Sequence, residues 1–358
     1  MKTILIILAF SGIIAASIPL LASKKWWIRA FDFPHLQFTI FSFVIFILLV
    51  FQIDFSNFFE VGVILLLLGF LIYQCVILFP YTFLAKKQLV NAQNPDETNC
   101  IKILTANVFQ DNKETNRLIE LINKTNPDVI ILLETNHRWQ KVLQPLKRAY
   151  PNSVEHPLEN FYGMMLFSKF ELNDMSVRFL IDEEIPSIKG KVQLKSGVSI
   201  NLHCLHPMPP SPTENEKSLD RDAELLIVAK EIKESDYPVL VIGDLNDVAW
   251  SHTTRMFQRI SRLLDPRIGR GFYNTFHAKY PLMRWPLDHL FVSNDFKLVS
   301  LEVLLDIGSD HFPVFAELVY CTKTIKNEAP DHATPEDKLE VEETINSGLE
   351  ENGKSPTQ

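Results

Sequence analysis

Val239-Leu240-Val241-Ile242-Gly243-Asp244-Leu245-Asn246-Asp247 begins as an unbroken apolar run and ends in carboxylates and an amide. An aliphatic run without polar alternation reads as a strand buried on both faces, which requires layers above and below its sheet. A period of two points Asp244 and Asn246 to one face where the strand stops. Gly243 removes side-chain bulk at a place where another group can approach the backbone. The same Gly-Asp-x-Asn-Asp composition also suits a plain turn.

The same design recurs on either side. Ile101–Val108, Asp128–Leu133, Gly163–Ser168, Val198–His206, Pro238–Gly243, Leu287–Ser293 and Pro313–Tyr320 all read as strands. Thr115–Lys124 reads as a helix, and Leu219, Ala223, Leu226 and Ile227 keep helical spacing after a Pro-rich loop. About 220 residues of this kind bury a substantial single core, and the pattern predicts packed sheets covered by helices.

Polar residues gather where these strands end, at the rim of a sheet where loops build sites. Asn107 closes the first strand. Glu134 follows five apolar residues, Val129 to Leu133, and a carboxylate beside a buried strand must be paired, hydrated or bound to a metal. His203 and His206 flank the end of another strand. Asp288-His289 and Asp310-His311 offer an Asp to hold an imidazole in one tautomer. Each piece alone also fits a solvated strand end or an ordinary turn.

In this order, Asn107, Glu134, His206, Gly243-Asp244-x-Asn246, Asp288 and Ser309-Asp310-His311 resemble the motif set of the endonuclease/exonuclease/phosphatase superfamily over about residues 101–320. With its apolar front end, the chain is similar to membrane-anchored bacterial members. The resemblance implies an α/β (α+β) fold, a four-layer α/β sandwich with two β-sheets face to face and helices outside. It implies Glu134 as the main ligand of Mg²⁺ (or Mn²⁺), Asn107 beside it, and Asp310 either in the metal site or supporting His311. Oxygen ligands suit these cations. It further implies that His311 contacts the scissile phosphate, that Asp288 orients His311, and that Asp244 aligns or deprotonates the attacking water. Asn246 would hydrogen-bond a phosphate oxygen. His206 would be the general-acid or phosphate-contacting histidine, with His203 the alternative. Phe109 stands where some members carry an Asp, and Pro207–Pro212 stands where the nucleases have DNA-binding loops. Thr275, within Asn274-Thr275-Phe276, and the nearby Arg270 and Arg284 are expected to line the substrate cleft. Plain surface charge is the alternative for both arginines.

The front of the chain is different. Three stretches, about 4–22, 33–53 and 61–85, are apolar and almost free of charge, which reads as three transmembrane helices. A cleaved signal peptide is the alternative for the first. Trp26, Trp27 and Arg29 suit the headgroup interface. Residues 86–99 read as a linker, 100–321 as the enzyme domain, and 322–358 as an acidic disordered tail. Lys24, Lys25 and Arg29 in the first loop lean the domain towards the cytoplasm by the positive-inside rule, and Lys2 pulls the other way. Cys100 and Cys321 flank the first and last strands, so antiparallel pairing of those strands would bring the thiols near enough for a disulfide, with two unrelated buried thiols as the alternative.

Charge narrows the function. The chain carries −8 overall; residues 322–358 hold nine acidic and four basic residues, leaving the enzyme domain near −4. That argues against a strongly basic nucleic-acid clamp. The spans carry no intramembrane charge, so they suggest no ion pathway. The expected activity is a membrane-anchored, Mg²⁺-dependent phosphoesterase that hydrolyses a phosphodiester by attack of water. Its substrate would be nucleic acid or phospholipid-derived, and its partner the lipid bilayer; no protein partner is implied. The alternative is a catalytically inactive, membrane-bound binding module of the same fold.

Overall fold

The structure is a computed structural model and describes residues 1–21, 23–321 and 327–355. In chain order the elements are α1 (Lys2–Ser17), α2 (Trp26–Arg29), α3 (His35–Val50), α4 (Phe58–Leu78), β1 (Cys100–Asn107), α5 (Thr115–Thr125), β2 (Val129–Leu133), α6 (His137–Leu143), β3 (Asn152–His156), β4 (Met164–Ser168), β5 (Glu171–Arg178), β6 (Ser187–Gln193), β7 (Ser199–Leu205), α7 (Leu219–Lys233), β8 (Val239–Asp244), α8 (His252–Ser261), β9 (Asp288–Val292), β10 (Phe296–Val303), β11 (Val314–Tyr320) and α9 (Pro335–Glu351).

Two sheets stack face to face, with strand orders β10-β11-β1-β2-β4-β3 and β5-β6-β7-β8-β9. Ile103, Ile131 and Leu166 of the first sheet meet Ile188, Leu202 and Ile242 of the second in one buried layer. The alternate residues face outward. Leu104, Ile130 and Leu132 pack on Leu118 and Trp139 of α5 and α6. Val239, Val241 and Phe291 pack on Ala223, Phe257 and Ile345 of α7, α8 and α9. This four-layer α/β sandwich explains the unbroken apolar runs, because every residue of β2 is buried on one face or the other. The edge strands β3, β5 and β10 lack such runs, and their sequences carry no comparable signal.

β1 and β2 run parallel, β9 lies antiparallel to β8 with Asp288 opposite Asp244, and β11 lies antiparallel to β1. The carboxyl ends of β1, β2 and β8 and the amino ends of β9 and β11 therefore share one rim. Gly243 fits there because a Cβ would lie 1.8 Å from the Leu205 carbonyl oxygen, and its φ of +154° disfavours any side chain.

The expected tail is corrected. Residues 335–351 form α9, started by a capping box between Thr334 and Asp337. Val341, Ile345 and Leu349 share one face at four-residue spacing and join the core beside α7. Its acidic face pairs with Arg259 (Asp337, 2.6 Å), Lys230 (Glu342, 2.7 Å) and Lys217 (Glu351, 2.6 Å), so charge here marks a docked helix. Residues 322–326 and 356–358 of the expected tail lie outside the described residues.

Among the described residues, two helical segments, Lys2–Leu20 and Phe58–Tyr81, are long and apolar enough to cross a membrane. A third exists only if the segments Trp26–Asp32 and His35–Val50, bent by 64°, count as one span. Pro34 caps the start of α3, which at His35–Val50 is shorter than the expected 33–53 span, and the bend falls between it and Trp26–Asp32. The four cysteines are free. Cys100 does oppose β11 antiparallel, but its partner in register is Val319, and Cys321 instead donates its N–H to the Asp295 carbonyl.

Candidate active site

At the shared rim, one chain of contacts joins both sheets. Asn107 Nδ2 donates to Glu134 Oε1 (2.7 Å) and to Asp244 Oδ2 (3.2 Å). The Gln110 N–H donates to Glu134 Oε2 (3.3 Å). Across the cleft, His311 Nδ1 lies 2.8 Å from Asp288 Oδ2, and its Nε2 lies 3.4 Å from Asp244 Oδ2. Ser309 Oγ donates to the Asn107 carbonyl (2.8 Å) and accepts from the His311 N–H (3.1 Å), fixing His311 beside the end of β1 in the first sheet. The ring of Phe276 covers the imidazole at 4.9 Å between centroids. Glu134 and Asn246 adopt left-handed backbone with φ of 58° and 51°, conformations that cost free energy and recur at functional sites.

Burial pushes the Glu134 carboxyl up to about 7, against the Asn107 hydrogen bond, and the nearby Asp310 charge adds to the rise. Burial also raises Asp244 to about 6, with His311 opposing. Burial pulls His311 down, but Asp244 and Asp288, together with the Asp288 hydrogen bond, outweigh it and hold the imidazole up to about 10. His311 is therefore an imidazolium at neutral pH. Burial, with the His311 charge adding and Asp288 opposing, drives His206 down to about 3, so His206 is neutral.

Donor atoms of Asp244, Asp288 and His311 converge within 4.8 Å of one another, close enough to hold an ion. An imidazolium with a carboxylate at each nitrogen has no lone pair to offer, so this trio is better read as an ion-pair network. The other carboxylates at this rim belong to Glu134 and Asp310, near enough for the Asp310 charge to raise Glu134. Glu134, Asp244, Asp288 and Asp310 surround a single imidazolium, an excess of negative charge that a divalent, oxygen-seeking cation fits.

This rim lies within residues 104–311, which match the family model described as the Endonuclease/Exonuclease/phosphatase family. The chain belongs to that family. Its members are metal-dependent phosphoester hydrolases, and by membership the chain is a hydrolase of that class. Solved structures share the family fold at low identity. TDP2 of D. rerio complexed with single-strand DNA product is 18% identical, with TM-score 0.52, covering 61% of this chain and 98% of that one. The human Nocturnin catalytic domain is 18% identical, with TM-score 0.50, covering 65% and 97%. The mannosyl-6-phosphatase of Bacteroides thetaiotaomicron is 18% identical, with TM-score 0.51, covering 62% and 100%. No curated protein matches this chain in sequence.

The structure brings together Asn107, Glu134, Asp244, Asp288 and His311, with His206 Nε2 3.8 Å from Asp244 Oδ2. His206 rather than His203 reaches this rim. His203 follows the phase of β7 that faces away from the cleft, where Lys189, Arg178 and Glu231 surround it. Asp310 lies near enough to Glu134 for its charge to act on that carboxyl, and its Oδ1 is 3.3 Å from Ser309 Oγ. Asn246 donates its N–H to Asp244 Oδ1 (3.0 Å) and its Nδ2 to the Pro207 carbonyl (3.0 Å).

The three expected cleft residues are corrected. Arg270 is buried and donates to the Pro266 and Leu89 carbonyls and to Asn91 Oδ1, so it fastens the 86–99 segment to the domain. Arg284 donates to the Ala278 carbonyl (2.8 Å) and stacks over the Phe312 ring, clamping a loop beside His311. Thr275 is buried and accepts the Asp288 N–H (3.2 Å), so it fixes Asp288 from behind. Arg270 and Thr275 are buried, and the hydrogen bonds of all three are made within the protein. Two rim residues carried no sequence signal: Gln110, which reaches Glu134 through its backbone, and Tyr162, whose ring lies 5.3 Å from that of His206. Only the pairing of β2 with β4, Leu133 opposite Met164, brings Tyr162 to the rim.

Proposed function

We propose that the chain is a membrane-anchored, Mg²⁺-dependent phosphodiesterase. The observation that carries this reading is the unbroken chain Asp288–His311–Asp244–Asn107–Glu134 across the rim. Glu134 and Asn107, with Asp310 beside them, would hold Mg²⁺ or Mn²⁺. When bound, that cation neutralises charge on the phosphoryl group. His311, held by Asp288, donates a hydrogen bond to a phosphoryl oxygen and meets its developing charge. Asp244 orients the attacking water and accepts its proton. His206 and Asn246 border the same space and contact the remaining phosphate oxygens. No covalent intermediate is needed.

The membrane reading rests on the apolar helices and on how their ends are tied. Lys2 pairs with Glu60 (2.7 Å), joining the starts of α1 and α4. The first loop returns to the enzyme domain, where the Ser218 N–H donates to the Lys24 carbonyl (2.7 Å). This supports a domain on the side of Lys24, Lys25 and Arg29, which the positive-inside rule makes cytoplasmic. A reporter fused after Gln358 tests the side.

The activity is tested on the detergent-solubilised full chain with bis-p-nitrophenyl phosphate and a panel of phosphodiesters and phosphomonoesters. Turnover that requires Mg²⁺ or Mn²⁺ and stops with EDTA is the expected result. His311→Ala is expected to lose roughly 10²-fold or more in kcat. No metal-dependent turnover on any ester would overturn the reading and favour the inactive binding module.

A further inference from the structure

The membrane helices do not merely tether the domain; they pack against the loop that roofs its active site. Leu78 and Tyr81, at the end of α4, share a buried cluster with Trp250 and Leu287, and Phe33 and Trp285 pack on it. Trp250 Nε1 donates to the Asp32 carbonyl (2.8 Å), and Gln37 Nε2 at the start of α3 donates to the Leu282 carbonyl (3.0 Å). From there an aromatic path leads to the site. Phe33 meets Trp285 at 5.6 Å between ring centroids, Trp285 meets Phe276 at 6.2 Å, and Phe276 meets His311 at 4.9 Å.

A groove of about 540 Å³ opens between α3 and α4, lined by Ile40, Phe43, Leu68, Ile72, Cys75 and Phe79 among others. That volume is in the usual range of ligand sites, roughly 300–1,000 Å³. Its lining exposes no polar surface. It lies at the half of the helices nearest the domain, since Ile40 is in the second turn of α3 and Phe79 directly follows α4. Beside the same helix ends, the roof loop exposes Tyr280 (58%), Leu282 (86%) and Met283 (53%), with Lys279 also exposed. Apolar tips beside a cation suit the boundary between acyl chains and headgroups.

We infer that the substrate is a phosphoester lipid of the bilayer, and that the α3–α4 groove holds its hydrocarbon tail while the phosphate reaches His311. This rests on the hydrolase reading above and adds the substrate class. The apolar lining selects a hydrocarbon occupant. The near end of the groove, at Ile40 and Phe79, adjoins the roof loop that Gln37 bonds at Leu282 and whose Phe276 covers His311, the proximity that a site for one amphiphilic molecule requires. In the reaction, the water oxygen bonds to phosphorus, the bond from phosphorus to one ester oxygen breaks, and that alcohol leaves carrying a proton.

The test uses the full chain in detergent micelles with alkyl p-nitrophenyl phosphates of methyl, decyl and hexadecyl chain length, so the leaving group stays constant. The expected kcat/KM rises at least tenfold from methyl to hexadecyl. Ile72→Trp and Ile40→Trp, which fill the groove from its two walls at positions 57% exposed, are expected to cut the hexadecyl-to-methyl ratio at least fivefold. Ile72→Leu is expected to keep that ratio. Turnover independent of chain length would overturn the inference, as would a chain-length dependence that neither Trp variant changes, which marks bulk partition. Loss of a dimer in Ile72→Trp with the ratio unchanged would assign the groove to a second copy and also overturn it. Metal-dependent turnover of the methyl ester in those cases would leave the hydrolase reading standing, whereas no turnover of any ester would remove both.

Discussion

Two buried polar networks meet at β9, one from each of two adjacent residues. Asp288 faces the rim and holds His311, which reaches Asp244. His289 faces the opposite way, accepting from Arg267 Nη2 at Nδ1 (2.7 Å) and donating from Nε2 to the Asp247 carbonyl (2.9 Å). Behind it, Arg267 pairs with Asp265 (2.8 Å) and Arg221 with Asp222 (2.8 Å), while Asp247 accepts from Ser251 and Thr254. The second network is complete: none of its side-chain polar atoms is buried without a partner. The first is not, because Asp288 Oδ1 and His206 Nδ1 are buried and unpaired. A closed network holds layers together. An open one, with more carboxylates than cations, keeps bonding capacity for something else.

The largest effect should come from breaking the closed network. Arg267→Met leaves Asp265 as an uncompensated buried charge and should cost about 3–5 kcal/mol of stability, read as a lowered thermal unfolding midpoint or failure to accumulate folded protein. A wild-type midpoint would show that the network contributes little.

The open network should respond in the opposite sense. Glu134→Gln removes a buried carboxylate that Asp310 and Asp244 already disfavour. Activity should fall roughly 10²- to 10³-fold while the unfolding midpoint holds or rises. A marked drop in midpoint would place Glu134 with the structural residues instead.

Much of this was legible in the sequence. The unbroken apolar runs of β2 and β8 betray burial on both faces, and the polar residues at or just after the ends of β1, β2, β7 and β8 mark the rim. The two Asp-His pairs look alike in sequence, yet only the Asp of the first and the His of the second meet. That depends on which face of β9 each side chain takes and on how the segment before β11 folds over, which are tertiary facts. Arg270 and Arg284 misled for a related reason: a sequence shows a cation but not the carbonyls that satisfy it. The tail misled because its acidic composition hides an apolar face of three residues, Val341, Ile345 and Leu349, one turn apart.

Glu224 marks the limit of the comparison. It is buried in α7 with Oε1 unpaired, far in character from the rim, and burial pushes its carboxyl up to about 8. An acid whose folded pKa is raised favours the folded state most when protonated. Stability is therefore full at low pH and is lost as pH climbs from about 4.5, the unfolded value, through about 8. Glu224→Gln escapes that loss, so its midpoint should exceed wild type by a few degrees at pH 8 and by less at pH 5, with activity retained. An equal difference at both pH values would contradict the buried-acid account.

The most direct measurement is Mg²⁺ titration of bis-p-nitrophenyl phosphate hydrolysis by the wild-type chain, Glu134→Gln and Asp288→Asn. If Glu134 and Asn107 hold the cation and Asp288 only orients His311, Glu134→Gln raises the Mg²⁺ needed for half-maximal rate, and Asp288→Asn lowers kcat at an unchanged Mg²⁺ requirement. The reverse pattern, with Asp288→Asn losing the Mg²⁺ response and Glu134→Gln keeping it, would put the metal on the Asp244–Asp288–His311 trio and contradict the account.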